Sequence, residues 1–353
     1  MKNIFKYIVI LAAGALAFQA CDKWTDAEPV EVVYTDLKSK NPELWAKYME
    51  SIRRYHTTDH QVLIAKFDNK TTAPEGRGEH INCLPDSVDY VILNNGDKLN
   101  DVIAAEMQEI LSEKNIPTLM NVSLVAMIKE YNTMLADELE SKPEGSEDET
   151  LGVDTPERFA SWIEARVKAE LEIADKYNYS GINVIFGGKN PASMTDAQKE
   201  EAQLRQQSMF SGIDAWIAAH QKAVVFFEGS PRNVLVETAA VKSAKFIIVT
   251  AESASNEASL SYAINTVLGD FVPSDRFVIG VTAVDITDPT NTAGSFGSKS
   301  AIVGAAEWNA QPTAKYGKKG ICVNHAQFDY YDITNVYSQI NKAISIMNPS
   351  PVK

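Results

Sequence analysis

The sequence predicts an α/β protein built as a closed (β/α)8 TIM barrel, and three observations support this prediction. Eight short apolar segments rich in Val, Ile and Phe recur along the chain, separated by amphipathic helical segments. The apolar segments are mostly continuous rather than alternating in polarity, as in parallel strands that are covered on both faces. Eight strand–helix units in series favour a closed barrel, whose sites lie at the C-terminal ends of its strands.

The alternative fold is an open, doubly wound sheet. A glycine-rich phosphate loop often follows the first strand of such a sheet. Here the residues after the first strand are Asp68-Asn69-Lys70, which contain no glycine. The closed barrel is therefore the preferred fold class.

The first residues form a predicted export signal. Lys2 and Lys6 precede the apolar run Ile8–Phe18, which is too short to span a bilayer. Ala20-Cys21 closes the run, and the arrangement resembles a bacterial lipoprotein signal in which Cys21 is acylated and becomes the mature N-terminus. An ordinary secretory signal with an incidental cysteine is the alternative.

The predicted mature chain is strongly acidic. The full chain has 33 basic and 47 acidic residues, so its formal charge is −14, and loss of Lys2 and Lys6 gives 31 − 47 = −16. This charge argues against a nucleic-acid partner, because such affinity depends on Lys and Arg meeting phosphates. Asp22, Asp26 and Glu28 resemble the surface-export tether of Bacteroidetes lipoproteins. We therefore expect an outer-membrane lipoprotein exposed at the cell surface.

The predicted order is a signal peptide at 1–20, a lipid-anchored tether with a pre-barrel helix at 21–58, and the barrel at 59–349. The pre-barrel helix begins at Pro42 and has Leu44, Trp45, Tyr48 and Ile52 on one side. The predicted strands are Val62–Phe67, Val88–Leu93, Thr118–Val125, Gly181–Phe186, Val224–Phe227, Phe246–Thr250, Phe277–Val281 and Gly320–Val323.

Helix start signals agree with the same order of elements. Thr155-Pro156 and Ser230-Pro231 each place a hydroxyl cap before a proline, and Thr195 has Gln198 at capping-box spacing. The helix after the second strand is expected to bury a stripe of apolar side chains. Its members are Leu99, Val102, Ile103, Met107, Ile110 and Leu111. The last helix is predicted at Ile333–Met347.

Two cysteines remain after Cys21, namely Cys83 and Cys322. The predicted compartment permits a disulfide, but two buried free thiols are the preferred interpretation. The chain has no CxxC, HExxH or His-rich segment, so neither a metal nor a cofactor is predicted.

The fourth predicted strand carries the most informative pattern. The segment Tyr177–Gly187 resembles the fourth barrel strand of glycoside hydrolase family 18, which includes chitinases and endo-β-N-acetylglucosaminidases. The family motif is Asp-Gly-x-Asp-x-Asp-x-Glu, and its alternate residues point into the barrel. Its four acidic positions correspond here to Ser180, Asn183, Ile185 and Gly187, so every carboxylate is replaced.

Other segments extend the resemblance over Tyr48 to Met347 as a pattern of strands. They are Tyr55–His60 before the first strand, Asp86–Leu93 at the second, and Gly320–Val323 followed by Asp329–Tyr331 at the eighth. The pattern is most similar to the endo-acting branch that cuts N-linked glycans, especially the lipoproteins of gut Bacteroidetes.

The resemblance implies that catalysis has been lost. In the family, the last Glu of the motif is the proton donor, and the preceding Asp orients the acetamido oxygen of the substrate, which acts as nucleophile. Gly187 cannot donate a proton, and Ile185 cannot orient an acetamido group. Loss of general-acid help alone lowers a rate by about 10²–10⁴. The groove itself is expected to remain.

Polar and aromatic side chains at the strand ends are the candidate glycan-binding residues, since planar hydrogen-bonding groups and aromatic faces bind neutral sugars. Taken singly, an Asn after a strand is more often a turn residue. The predicted set is Asp68, Asn94, Asn95, Asn121, Asn183, Glu228, Glu252, Asp285, Asn324, His325 and Tyr330, with Phe328 and Tyr331 as further aromatics.

The sequence therefore predicts a non-catalytic surface lipoprotein that binds N-glycans or other N-acetylglucosamine-containing glycans. It would capture them for a neighbouring endoglycosidase and an importer. One alternative is an active hydrolase with relocated carboxylates, two of them about 5–5.5 Å apart. Its candidates are Asp68, Glu228, Glu252, Asp285 and Asp329, although Asp329 can also simply tie down its loop. Two further alternatives are a scaffold that binds no glycan and a barrel strand at Tyr177–Gly187 that is unrelated to the family.

Overall fold

A computed structural model describes residues 37–143, 150–288, 290–331 and 335–349. The predicted signal, Cys21 and the acidic tether lie outside these residues, so the boundaries at 20 and 58 stay predictions. The chain divides into two compact units after Tyr48. Within the described residues, no helix combines the length and apolarity that crossing a membrane requires.

The first unit contributes helix α1 (Leu37–Lys40) and the start of α2 (Pro42–Tyr55). Of the residues that the sequence puts on one side of this helix, Leu44 and Tyr48 are exposed. Met49 and Ile52, which belong to the second unit, are buried.

Eight parallel strands of the second unit form one closed barrel, which confirms the predicted fold class. The barrel order is β1-β2-β3-β4-β5-β6-β7-β10, and β10 pairs with β1 to close it. The barrel strands are β1 (Val62–Phe67), β2 (Tyr90–Leu93), β3 (Thr118–Ser123), β4 (Gly181–Phe186), β5 (Val224–Gly229), β6 (Phe246–Thr250), β7 (Phe277–Thr282) and β10 (Lys318–Asn324). Strands β8 (Ser295–Phe296) and β9 (Lys299–Ser300) form a separate antiparallel hairpin.

Helices lie between most of the barrel strands. They are α3 (Asp101–Lys114), α4 (Leu124–Glu140), α5 (Pro156–Lys176), α6 (Asp196–Ala219), α7 (Ala239–Lys242), α8 (Glu257–Val267), α9 (Ala301–Ala310) and α10 (Ser338–Met347). The predicted caps form at two of them: Thr155 accepts a hydrogen bond from the Arg158 amide, and Thr195 and Gln198 complete a capping box.

Two glycines allow barrel strands to approach each other closely. A Cβ atom on Gly181 would lie 1.8 Å from the Val224 carbonyl oxygen, and one on Gly320 would lie 1.9 Å from the Val62 carbonyl oxygen. Gly320 also has a φ of +147°, a conformation that other residues rarely adopt. Any side chain at either position would therefore push neighbouring strands apart.

Several predicted boundaries need correction. The second strand begins at Tyr90 rather than Val88, and the third ends at Ser123 because the Ser123 hydroxyl caps α4 by accepting from the Ala126 amide. Leu99 precedes α3, since Asn100 is the N-cap, and Val102 on that helix is exposed.

Two predicted helices also differ. Ser230-Pro231 does not begin a long helix: only a 3₁₀ turn, Pro231–Asn233, follows it, and α7 has four residues. The last helix begins at Ser338, later than predicted, and Ile333 lies outside the described residues.

Cys83 and Cys322 are free cysteines. Cys322 lies in the buried barrel interior, whereas Cys83 is only partly buried, so the prediction of two buried thiols holds for Cys322 alone. Burial raises the pKa of the Cys322 thiol, which favours its protonated, unreactive form.

Candidate functional site at the barrel mouth

The C-terminal end of β4 is open and uncharged. Asn183 is fully buried, whereas Ile185 is partly exposed. Gly187 follows the strand, and a Cβ atom built there would meet only Val125 Cγ2, at the ordinary contact distance of 3.7 Å. Position 187 therefore has room for a side chain but carries none.

A buried ion pair crosses the barrel interior below this opening. Lys66 on β1 and Glu228 on β5 belong to strands that are not neighbours, yet Lys66 Nζ lies 2.9 Å from Glu228 Oε1 and 3.1 Å from Oε2. Burial lowers the pKa of Lys66, but the charge and hydrogen bond of Glu228, together with the further negative charge of groups such as Glu252, raise it more, so the pKa is raised on balance. The pair places one cation and one anion at the floor of the mouth.

A chain of side-chain amides extends from Glu228 across four neighbouring strands. Asn183 Nδ2 donates to Glu228 Oε2 at 2.6 Å and to Asn121 Oδ1 at 2.9 Å. Asn121 Nδ2 donates to Asn94 Oδ1 at 3.2 Å, and Asn94 Nδ2 donates to Asp68 Oδ1 at 2.6 Å. Asn121 and Asn94 each donate and accept, which fixes the orientation of their amides. Asn183 donates to both of its partners, and its buried Oδ1 has no hydrogen-bond partner among the described residues.

Asp68 joins the loops that follow β1, β2 and β10. Its carboxylate accepts hydrogen bonds from Asn94, from Gln327 Nε2 at 2.6 Å, and from the His325 ring. Burial raises the pKa of Asp68, but these three donors together have the larger effect, so the pKa is lowered on balance. The hydrogen bond to Asp68 raises the pKa of His325. Both shifts favour the charged form of the pair.

The network continues to the β6 side of the mouth. Asn94 Nδ2 also lies 3.3 Å from Asn324 Oδ1, and Asn324 Nδ2 donates to the exposed Glu252 carboxylate at 2.9 Å. Eight of the predicted site residues thus belong to one hydrogen-bonded network: Asp68, Asn94, Asn121, Asn183, Glu228, Glu252, Asn324 and His325.

Three other predicted residues have different surroundings. Asn95 exchanges hydrogen bonds with Asn69 and so joins the loops after β1 and β2. Asp285 accepts from the amide and hydroxyl of Thr287, two residues further along its own turn. Tyr330 packs edge-on against Tyr337, with ring centroids 5.5 Å apart.

Asp329, a candidate for a relocated catalytic acid, is a helix cap. It is buried, and its carboxylate accepts from the Ile340 amide at 2.8 Å and the Gln339 amide at 3.3 Å, at the start of α10. Its contacts support the interpretation that it ties down its loop.

Two members of the network were missed from the sequence. Lys66 interrupts an otherwise apolar strand, and this single charge in a buried run is a signal that could have been used. Gln327 donates to Asp68 and accepts from the Asp68 amide at 3.2 Å, but a lone Gln in a loop gives no comparable signal.

A sequence profile described as "Glycoside hydrolase family 18, BT1044-like" matches residues 25–346. The chain belongs to glycoside hydrolase family 18. Its membership confirms the resemblance seen in the fourth strand and its neighbours. No curated protein matches the chain.

Solved structures share the family 18 fold with this chain. A selenomethionine form of BT1044 with a Glu-to-Gln substitution has a TM-score of 0.61 and 21% identity, covering 89% of this chain and 96% of its own. A mutant endo-β-N-acetylglucosaminidase from Cordyceps militaris, in complex with fucosyl-N-acetylglucosamine-Asn, has a TM-score of 0.55 and 15% identity. That match covers 85% of this chain and 95% of the other.

Within this family 18 barrel, Glu228 is the carboxylate whose backbone is in register with Ile185. A general acid must present a proton to the leaving oxygen of the substrate. Both oxygens of Glu228 instead accept hydrogen bonds, from Lys66 and Asn183. The contacts of Glu228 with Lys66 and Asn183 keep hydrogen-bond donors and acceptors in fixed positions.

Proposed function

We propose that this family 18 protein is a non-catalytic glycan-binding lipoprotein of the cell surface. It captures N-glycans or other N-acetylglucosamine-containing glycans. The observation that carries the proposal is the end of β4, where Ile185 and Gly187 occupy the places of the two residues that the family uses to orient and protonate its substrate.

The loss of those two groups argues against cleavage. Glycosidic hydrolysis needs a positioned acid for the leaving oxygen, and Gly187 has no side chain. Glu228 is the neighbouring carboxylate on β5, but Lys66 and Asn183 bind its oxygens. Of the other candidates for relocated acids, Asp329 caps a helix and Asp285 binds within its own turn.

The polar network supports retention of a sugar. Amides and carboxylates with fixed orientations suit the hydroxyl and acetamido groups of sugars, because a site with placed hydrogen-bonding groups discriminates among polar ligands. Asn94, Asn121, Asp68 and His325 are only partly buried and reach the mouth. The Cordyceps militaris enzyme holds a fucosylated N-acetylglucosamine derivative, which favours a ligand of this class for the same fold.

The N-terminal pattern supports binding at a membrane. Acylation of Cys21 would anchor the chain to the outer membrane, and the acidic tether would direct it to the cell surface. Stable anchoring by lipid needs more than a single acyl chain, so the proposal requires Cys21 to carry two chains or more. At that location the protein would hold glycans for a neighbouring endoglycosidase and an importer.

Incubation with glycoproteins and a glycan array tests this function directly. We expect saturable retention of N-glycans with no released glycan detectable by mass spectrometry. Asn94→Ala should weaken retention, whereas Tyr262→Ala, at an exposed position on α8, serves as the matched control. Released glycan would instead support the hydrolase with relocated acids. Absence of both retention and release would support the scaffold.

A further inference from the structure

We infer a second sugar-binding site in a groove beside the mouth, which takes the outer residues of a neutral glycan. The inference rests on the proposed function and extends it. The groove has a volume of about 630 Å³, within the range of about 300–1,000 Å³ typical of small-molecule sites. It lies among the loop after β7, the β8–β9 hairpin, the 3₁₀ segment Ala326–Tyr331 and α10.

The groove is continuous with the mouth network. Val284 follows the end of β7, and Phe328 follows the end of β10, so both lie at the C-terminal end of the barrel. The Phe328 ring stacks on the His325 ring, with centroids 5.4 Å apart and planes 17° apart. His325 in turn binds Asp68 in the mouth. The Phe328 ring therefore lies between the groove, which it lines, and His325 of the mouth network.

The side chains of the groove combine apolar and polar surfaces. Ile286 is 56% exposed and Tyr331 is 50% exposed, although both are large and apolar. Ser298, Gln339 and Lys342 line the same space. Such a mixture suits a sugar ring, which presents an apolar face and a rim of hydroxyl groups.

The charges at the groove are of both signs. The first amides of α10 donate to the Asp329 carboxylate, so this helix terminus already has an anion. Lys299 is paired with Glu307, and Lys342 adds an exposed cation on the lining. Because neither sign of charge dominates, the groove suits a neutral sugar.

Two adjacent sites predict that affinity depends on glycan length. A long glycan that reaches both sites binds more tightly than either part alone, because the second contact is intramolecular. A disaccharide of N-acetylglucosamine fills only the mouth. The groove should consequently contribute to binding of the long ligand and not of the short one.

The test measures dissociation constants for N,N′-diacetylchitobiose and for a neutral biantennary N-glycan by calorimetry. Ile286→Ser and Tyr331→Ala should each weaken binding of the long glycan about tenfold, equivalent to ~1.4 kcal/mol. The same variants should leave the disaccharide affinity within about twofold. Ile286→Ser is an independent test in case Tyr331→Ala does not fold, because Tyr331 also contacts the loop around Gly78. Tyr262→Ala is again the control.

The outcomes separate this inference from the function on which it rests. If wild-type protein binds both ligands with equal affinity, or if the variants weaken both equally, the groove is not a second site. If both variants retain full affinity for the long glycan, the inference is also overturned. Failure of wild-type protein to bind either ligand would overturn the proposed function, and the groove with it.

Discussion

The two sides of the barrel mouth are built from opposite kinds of contact. On the β4 side, Ile185, Val125 and the open space at Gly187 present apolar surface. On the side of β1, β2 and β10, the Asp68 carboxylate gathers donors from three loops, among them Asn94. The comparison shows an apolar side next to a side whose charged and polar groups belong to one hydrogen-bonded network.

The buried ion pair lies between these two sides, and breaking it should have the largest effect. Lys66→Met leaves Glu228 buried without its cation, so we expect the free energy of unfolding to fall by about 3–5 kcal/mol. Urea denaturation measures this change. Adding Glu228→Gln to the same chain should recover most of the loss. If the double variant is as unstable as the single one, the pair is not the source of the effect.

Carboxylates introduced on β4 or just after it should sharpen the comparison. Asn183→Asp places a second carboxylate beside Glu228 Oε2, which lies 2.6 Å from Asn183 Nδ2, in a fully buried position. We expect destabilisation of about 3 kcal/mol.

The matched control for this variant is Ile185→Asp combined with Gly187→Glu. Both side chains would lie at the open end of the strand, where solvent reaches them, so we expect a smaller loss than for Asn183→Asp. Thermal and urea denaturation compare the two. A more severe loss in the double variant would mean that this end of β4 is sealed, contrary to the proposed groove.

Removing the charge at the centre of the polar side should weaken both folding and binding. Asp68→Ala leaves Asn94, Gln327 and His325 without their common acceptor, and unsatisfied groups of this kind lower stability by about 1–3 kcal/mol. We expect glycan affinity to fall at least tenfold, or ~1.4 kcal/mol. Asp270→Ala, which makes the same change at an exposed position after α8, is the matched control. Equal affinities for the two variants would contradict the role given to Asp68.

The smallest expected effect is a dependence of stability on pH. The hydrogen bond to Asp68 raises the pKa of His325 above 6.5, although burial opposes it. A raised pKa in the folded state stabilises the protein fully below the unfolded pKa, and this contribution is lost as the pH rises through the folded pKa. Wild-type protein should therefore exceed His325→Gln in stability by more at pH 5.5 than at pH 8.5. A difference independent of pH would contradict the ion pair.

His60 provides a comparison for that experiment at the opposite end of the barrel. Burial lowers its pKa, but the hydrogen bond and charge of Asp89 raise it more, so its effect on stability has the same sign. His60→Gln should change the pH dependence of unfolding without changing glycan affinity. NMR titration of the two imidazoles separates their contributions. Loss of glycan binding in His60→Gln would show that the two ends of the barrel are coupled.

Much of the fold follows from the sequence because strand identity is a local property. Continuous apolar runs such as Val62–Phe67 and Gly181–Phe186 were predicted with their observed bounds. The residues just after such runs, including Asp68 and Asn94, meet at the mouth because all barrel strands point the same way. For these residues, the apolar pattern of each strand and the common direction of the barrel strands were enough to predict their position at the mouth.

Long-range pairings were not predictable in the same way. The Lys66–Glu228 pair joins strands separated by three others, so it depends on the register of the whole barrel. Asp329 acts as a cap only because α10 begins at Ser338, which lies nine residues further along the chain. The helix expected after Ser230-Pro231 fails because a favourable start signal does not ensure an apolar face to pack.

Under the proposed function, the absence of a side chain at Gly187 has a consequence for how long a glycan stays bound. A hydrolase releases its substrate as shorter products, so the time a glycan spends on it is limited by turnover. A receptor without a proton donor returns each glycan intact, and only the dissociation rate limits the encounter. Such a rate can be tuned by the loops after β7 and β10 without any change at β4.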